Sequence, residues 1–180
     1  LAKEVSPALI TTSEIAQVVG ISQGAVFKHF PSKDAIWVAA MEWVGVQLLA
    51  ALEAAAHAEH SPVAGLGSVF HAHVAFVIAH PGVPRVIFHE LQQPADSATK
   101  QQVRLLLQNY RKLLLRLLDE AVQQGELAST LNREAGVTLF IGIVQGLVMQ
   151  SMLAGKPSTM KTQADAVFAL YLHGLYEGAP

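Results

Sequence analysis

Cysteine is absent from the 180 residues, and charged side chains make up only 14% of them. Without cysteine the chain has no disulfide framework and no thiolate zinc site, which fits a reducing compartment, so we expect a cytoplasmic protein. Alternating runs typical of strands are rare, whereas apolar residues recur at three and four positions. Since 52% of the residues are hydrophobic, the chain can bury a substantial core. We therefore predict an all-α fold.

The motifs of several enzyme classes are also missing. The sequence contains no phosphate-cradling glycine-rich loop, no Ser-His-Asp arrangement and no dinucleotide fingerprint. We therefore expect no catalysis and no cofactor.

The segment from Thr11 to Lys33 predicts two short helices joined by a tight turn, over about Ser13–Val19 and Gln23–Phe30. Thr11 and Glu14 have the spacing of a capping box, and Gly20 suits the left-handed residue that ends a helix. The pair is typical of a DNA-binding helix-turn-helix, whose second helix enters the major groove. The apolar wedge between the two helices is predicted from Ile15, Val19, Ile21 and Val26.

The run IAQVVGISQGAVFKHFPSKDAI resembles the N-terminal signature of TetR-type bacterial transcriptional repressors. The resemblance implies an all-helical homodimer with an N-terminal DNA-binding domain and a larger C-terminal domain for a small effector. We accordingly expect a DNA-binding domain over residues 1–45 and an effector-binding and dimerisation domain over residues 46–180. The family usually carries tyrosine where this chain has Phe27. Only Leu1 to about Val5 would remain of the helix that precedes the motif, so we expect an N-terminally truncated domain.

Several side chains of the predicted motif suit contacts to a double-stranded operator. Gln23 can pair with adenine, Ala25 can touch a thymine methyl group, and Lys28 can reach guanine or phosphate. Lys33, at a helix N-terminus, suits a phosphate. Thr11 and Ser13 suit similar contacts to the DNA backbone, although their hydroxyl groups serve equally well as helix caps. The predicted DNA-binding residues are Thr11, Ser13, Ser22, Gln23, Gly24, Ala25, Phe27, Lys28, His29 and Lys33.

Net charge does not support DNA binding. Residues 1–45 contain three lysines against four acidic residues, whereas DNA-binding modules normally carry a basic surface. Motif and charge disagree, and the motif is the more specific signal.

The 21 residues between Glu134 and Lys156 carry no charge. That length is enough to span a bilayer. However, a helix that is apolar all round can also lie between its own domain and a partner subunit. Polar residues within the segment favour the second interpretation. We expect no membrane and a homodimer that forms through about residues 132–155 and 162–177.

Aromatic and apolar side chains in three predicted helices suit a small-molecule pocket, although plain core positions have the same composition. The predicted effector-binding residues are Phe70, His73, Val77, Phe88, Tyr110, Leu114 and Phe140. A weaker hypothesis is a metal site, because Glu53, His57 and His60 would share one helical face.

The leading interpretation is thus a DNA-binding transcriptional regulator, a repressor released from its operator by an unidentified small molecule. Two alternatives stay open: a metal-dependent sensor or metalloprotein that uses Glu53, His57 and His60, and a helical dimerisation module without DNA binding.

Overall fold

The computed structural model describes residues 1–177, and all the regular secondary structure of this part of the chain is helical. These residues form eight helices and no strand, which confirms the predicted all-α fold. The helices are α1 (Thr12–Val19), α2 (Gln23–His29), α3 (Lys33–His57), α4 (Pro62–Ala79), α5 (Gly82–Gln92), α6 (Ala98–Gln123), α7 (Arg133–Ala154) and α8 (Thr159–Glu177).

Local caps explain where several helices begin and end. The Ser32 hydroxyl accepts a hydrogen bond from the Ala35 N–H at 3.1 Å and so starts α3, as is common for a serine N-cap. The Asn132 side chain does the same for α7, accepting from the Ala135 N–H at 3.0 Å. Gly155, with φ of 64°, ends α7 in the left-handed conformation. These short-range interactions determine where α3 begins and where α7 begins and ends.

Contacts divide the chain into two compact units. The first comprises Leu1–Gln47 and His80–Leu106, and the second comprises Leu48–Ala79 and Leu107–Pro180. Residues 80–106 therefore group with the N-terminal segment. This division differs in kind from the predicted boundary between a DNA-binding domain and an effector-binding domain, which lies between residues 45 and 46. The functional boundary stays a prediction.

The second unit is built around α4, α7 and α8. A Cβ atom placed on Gly67 of α4 would lie 3.2 Å from the ring of Phe168 on α8. One placed on Gly136 of α7 would lie 3.3 Å from Leu118 and 3.5 Å from Leu175. Glycine at these two positions therefore lets neighbouring side chains pack directly against the helix backbone.

Helix α7 has one buried face and one exposed face. Phe140, Val144 and Leu147 are buried, whereas Leu139, Met149 and Leu153 are exposed. Three helices in the described part of the chain are long and apolar enough to cross a membrane by length and composition alone: Lys33–His57, Pro62–Ala79 and Arg133–Ala154.

Candidate nucleic-acid interface and ligand core

The start of α1 is held by the predicted capping box. The Thr11 hydroxyl accepts from the Glu14 N–H at 3.2 Å, and the Glu14 carboxylate accepts from the Thr11 N–H at 2.7 Å and from its hydroxyl at 2.8 Å. These bonds, first the backbone one and then the side-chain one, hold the pKa of Glu14 below its ordinary value of 4.5. The charged carboxylate is thus part of the helix start.

Gly20 forms the turn between α1 and α2. Its φ of 76° is left-handed, a conformation that glycine adopts without a steric penalty. The Gly20 N–H donates to the Gln17 carbonyl, and the Ile21 N–H donates to the Ala16 carbonyl. The Ser22 hydroxyl then accepts from the Ala25 N–H at 3.1 Å and starts α2. The predicted role of Gly20 at the end of α1 is confirmed.

The two helices pack through small side chains. Ala16 of α1 and Val26 of α2 are buried. The predicted wedge is wrong in part, because Val19 and Ile21 are 63% and 44% exposed. Ala16 and Val26 are therefore the buried side chains between α1 and α2, and no described segment covers Val19 and Ile21.

The opposite face of α2 is open. Gln23, Gly24, Phe27, Lys28 and His29 are exposed, while Ala25 is partly buried. Among the other predicted DNA contacts, Thr11, Ser13 and Ser22 are exposed and Lys33 is partly buried. Since the inner face of α2 is anchored by Val26, its outer face presents a set of hydrogen-bonding and basic groups to solvent.

Two of the predicted DNA-contacting side chains already have partners. The Gln23 Nε2 group donates to the Thr12 hydroxyl at 2.8 Å. The Lys33 ammonium donates to the Ala8 carbonyl at 2.9 Å, 25 residues earlier in the chain. The Gln23 amide has a second N–H donor and the Lys33 ammonium has two more. These bonds therefore orient the two side chains and leave N–H donors for DNA.

The predicted effector residues mostly lie together in the second unit. The rings of Phe70 and Phe140 are 5.6 Å apart, and those of Tyr110 and Phe140 are 6.2 Å apart, both edge to face. His73 Nδ1 and the Tyr110 hydroxyl form a hydrogen bond of 3.0 Å. Val77 and Leu114 are buried in the same unit. Phe88 is the exception, because α5 belongs to the first unit.

Burial keeps the polar groups of this cluster neutral. It lowers the pKa of His73 to about 4. It also raises the pKa of Tyr110, with the nearby Tyr171 acting in the same direction. The Tyr171 hydroxyl donates to the Gly136 carbonyl at 3.2 Å, and burial raises its pKa as well. The cluster is therefore apolar with a few neutral hydrogen-bonding groups, the composition common in small-molecule sites.

The predicted metal candidates do not form a site. Helix α3 ends at His57, so His60 is outside the helical face on which the prediction placed it. The Glu53 carboxylate instead accepts a hydrogen bond from the Arg116 guanidinium at 2.6 Å. His57 Nδ1 lies 2.7 Å from the Glu53 carbonyl oxygen. The described residues contain no group of three or more histidine, aspartate or glutamate side chains able to hold a metal ion.

Two protein-family models match parts of this sequence. A family model for bacterial regulatory proteins of the tetR family matches residues 1–40. A model for the tetracyclin repressor-like C-terminal domain matches residues 92–167. Together the two matched segments include more than half of the chain. The chain belongs to the TetR family. The first family model describes bacterial regulatory proteins, and none of the comparisons supports either of the two alternative functions.

Individual relatives of this TetR-family chain are distant. It is 30% identical over 78 residues to the nucleoid occlusion factor SlmA of Haemophilus ducreyi, a match of 43% of this chain and 39% of that protein. It is 22% identical over 153 residues to SlmA of Colwellia psychrerythraea, covering 83% of this chain and 77% of that protein. The first match thus spans well under half of the relative's length.

A solved structure shows the same fold. The transcriptional regulator FadR from Bacillus subtilis, in complex with stearoyl-CoA, superposes with a TM-score of 0.81 at 20% identity, over 94% of this chain and 93% of that one. The predicted all-α architecture of a helix-turn-helix domain followed by a helical domain is confirmed by this similarity and by the two family models.

Sequence reasoning missed Thr12. Its neighbours Thr11 and Ser13 were predicted as DNA contacts, but Thr12 is the residue whose hydroxyl meets Gln23. Only the relative placement of α1 and α2 brings these two side chains together. A local pattern gives no sign of that contact.

Proposed function

We propose that this TetR-family chain is a cytoplasmic, homodimeric repressor that an apolar small molecule releases from a double-stranded DNA operator. The observation that carries the proposal is the outward face of α2, where Gln23, Gly24, Lys28 and His29 are exposed while Val26 anchors the inner face. Two such helices on a dimer would enter successive major grooves about 34–36 Å apart. An effector that binds better to a dimer with a different separation would release the DNA.

The DNA-binding step is tested by selecting fragments from a genomic library with the full chain and measuring their affinity by gel shift at several salt concentrations. Lys28→Ala should weaken binding. It should also reduce the slope of log affinity against log salt by about 1 if the ammonium contacts a phosphate. Lys112→Ala, which removes an exposed lysine from α6, serves as the control. Equal affinities for Lys28→Ala and the unmodified chain would contradict the proposed role of α2.

Lys33→Ala should weaken binding on every sequence alike, because an ammonium at a helix N-terminus recognises phosphate and not bases. Its bond to Ala8 is lost in the same variant, so circular dichroism must first show that the helices are retained. A change in base preference would argue against a phosphate contact.

The dimer is proposed to form through residues 132–155 and 162–177. Both helices in this region present large apolar groups to solvent, with Leu153 82% and Leu170 73% exposed. Exposed apolar surface of this kind marks an interaction site. Leu153→Asp and Leu170→Asp should each shift the protein toward monomer in sedimentation velocity experiments. Leu105→Asp on α6, which changes another exposed leucine, should leave the dimer intact. A protein that sediments as a monomer without any substitution would refute this part of the proposal.

Fractionation of a cell lysate tests whether the chain is a membrane protein. A dimer closed through α7 and α8 should stay in the supernatant after cell lysis without detergent. Recovery of the chain with the membrane fraction would instead favour a membrane-spanning role for the apolar helices.

The effector is proposed to bind among the aromatic groups around Phe70, Tyr110 and Phe140. The fold relative from Bacillus subtilis binds stearoyl-CoA, so stearoyl-CoA is a suitable first probe of an apolar site. It should raise the unfolding temperature and release bound DNA. Tyr110→Phe, which removes the bond to His73, should reduce that response, whereas Tyr176→Phe on the exposed end of α8 should not. A response equal in both variants would place the effector elsewhere.

A further inference from the structure

Helices α1 and α2 are joined by a side-chain bond at their N-termini. Thr12 is the first residue of α1 and Gln23 the first residue of α2. The Gln23 Nε2 group donates to Thr12 Oγ1 at 2.8 Å. The contact spans eleven positions of the sequence, so it depends on the packing of the two helices and not on local chain geometry.

Both ends of this bond are held by other interactions. The residue before Thr12 is the N-cap Thr11, which is locked to Glu14 by the capping box. The residue before Gln23 is the N-cap Ser22, whose hydroxyl accepts from the Ala25 N–H. The two backbones are therefore fixed. The exposed Gln23 side chain therefore donates to a hydroxyl acceptor, Thr12 Oγ1, that is held in a fixed position.

A primary amide has one acceptor oxygen and two N–H donors. Recognition of adenine in the major groove requires the oxygen and one N–H, which pair with the N6 amino group and with N7. The bond to Thr12 takes one N–H. Consequently, the second N–H and Oε1 remain for a base edge, and the orientation of the amide plane is set before DNA arrives.

We propose that Thr12 is a positioning residue that orients Gln23 for sequence recognition. Thr12 acts through Gln23 and reads no base itself. Fixing a long side chain in advance removes part of the entropy cost of ordering it on DNA. The inference rests on the proposed DNA-binding function and adds to it a residue that determines specificity.

The test compares Thr12→Val, which keeps the shape of the side chain but removes the hydroxyl acceptor, with Thr12→Ser, which keeps the acceptor. Each is measured as the full chain against the selected genomic operator and against operators substituted at one base pair at a time. Thr12→Val should lower the preference for one A·T pair by about fivefold, the effect of one neutral hydrogen bond. Affinity for the operators substituted at that pair should not change. Thr12→Ser should restore the preference.

The Gln23→Ala variant completes a double-mutant cycle. Gln23→Ala should lose the preference for the same base pair, and Thr12→Val should cause no further loss in that background. If Thr12→Val weakens binding to all operators equally, and does so again in the Gln23→Ala background, Thr12 contacts DNA itself and the inference is wrong. It is also wrong if Thr12→Val changes nothing. Failure of the unmodified chain to retain any genomic fragment would overturn the proposed function, and this inference with it. The first two outcomes overturn the inference alone.

Discussion

Replacing glycine by alanine should have opposite effects at two positions only four residues apart. Gly20 ends α1 with a left-handed φ of 76°. Gly24 lies inside α2, where φ is negative. The added methyl group therefore tests the cost of a left-handed backbone at Gly20 and the gain in helix propensity at Gly24. The two variants are a matched pair within one compact unit.

The magnitudes follow from the space around each glycine. A Cβ on Gly20 would meet nothing within 4 Å, so the penalty is conformational. An L-residue in the left-handed region costs about 1–2 kcal/mol. A Cβ on Gly24 would lie 3.9 Å from the Ser22 hydroxyl oxygen, an ordinary contact, and alanine there should stabilise the helix by up to about 1 kcal/mol.

Thermal unfolding followed by far-ultraviolet circular dichroism measures the difference. One kcal/mol corresponds to about 2–4 °C for a chain of this size, so Gly20→Ala should unfold a few degrees below the unmodified chain and Gly24→Ala slightly above it. Because the chain has two compact units, hydrogen exchange of the α1 and α2 amides should confirm that the change is local. If both variants shift the unfolding temperature in the same direction, the argument from φ is refuted.

Three further predictions concern single hydrogen-bonding groups. Because folding lowers the pKa of Glu14, its carboxylate stabilises the folded chain at pH values above the ordinary pKa of 4.5, and this stabilisation is lost as the pH falls through the lowered pKa. The stability difference between Glu14→Ala and the unmodified chain should therefore be present at pH 7 and disappear when unfolding is measured at acidic pH. A difference that stays constant with pH would contradict this. Tyr171→Phe removes the bond to the Gly136 carbonyl and should lower the free energy of unfolding in urea by about 1 kcal/mol, whereas the exposed Tyr176→Phe should have no effect. Glu126 accepts from the Ser61 hydroxyl at 2.7 Å and from the Val63 N–H at 3.1 Å, so Glu126→Ala should cost about 1.5–3 kcal/mol; a loss no larger than that of Gln124→Ala would show that this cap of α4 is dispensable.

The features that sequence reasoning predicted well depend on neighbours in the chain. The capping box joins residues three positions apart, and α1 ends at the left-handed Gly20 through a bond from the Gly20 N–H to the carbonyl three positions back and one from the Ile21 N–H to the carbonyl five positions back. The observed start of α3 at Lys33 follows from Ser32 in the same manner. Each of these interactions has a short, recognisable pattern, so the helix-turn-helix and its boundaries could be predicted closely.

The features that could not be predicted depend on how helices pack. The contacts of Gln23 with Thr12 and of Lys33 with Ala8 span eleven and 25 positions. The exposure of Val19 and Ile21 likewise depends on which segments cover α1, which hydrophobicity does not reveal. The metal hypothesis about His60 was wrong because it extended the periodicity of α3 beyond the point at which the helix ends. The effector residues remain a prediction, since a buried aromatic cluster and a ligand site have the same composition.

Helix α7 shows how structure narrows an ambiguous pattern. Length and lack of charge alone allow a membrane span, a buried helix or a subunit interface for this segment. The structure gives it a buried face with Phe140 and Val144 and an outer face with Leu139 and Leu153. Gln145, near the middle of the helix, is exposed on the outer face. A lipid core would leave its amide without hydrogen-bond partners, whereas a partner subunit or interfacial water can supply them. The position of this one amide therefore favours the proposed dimer over a membrane span.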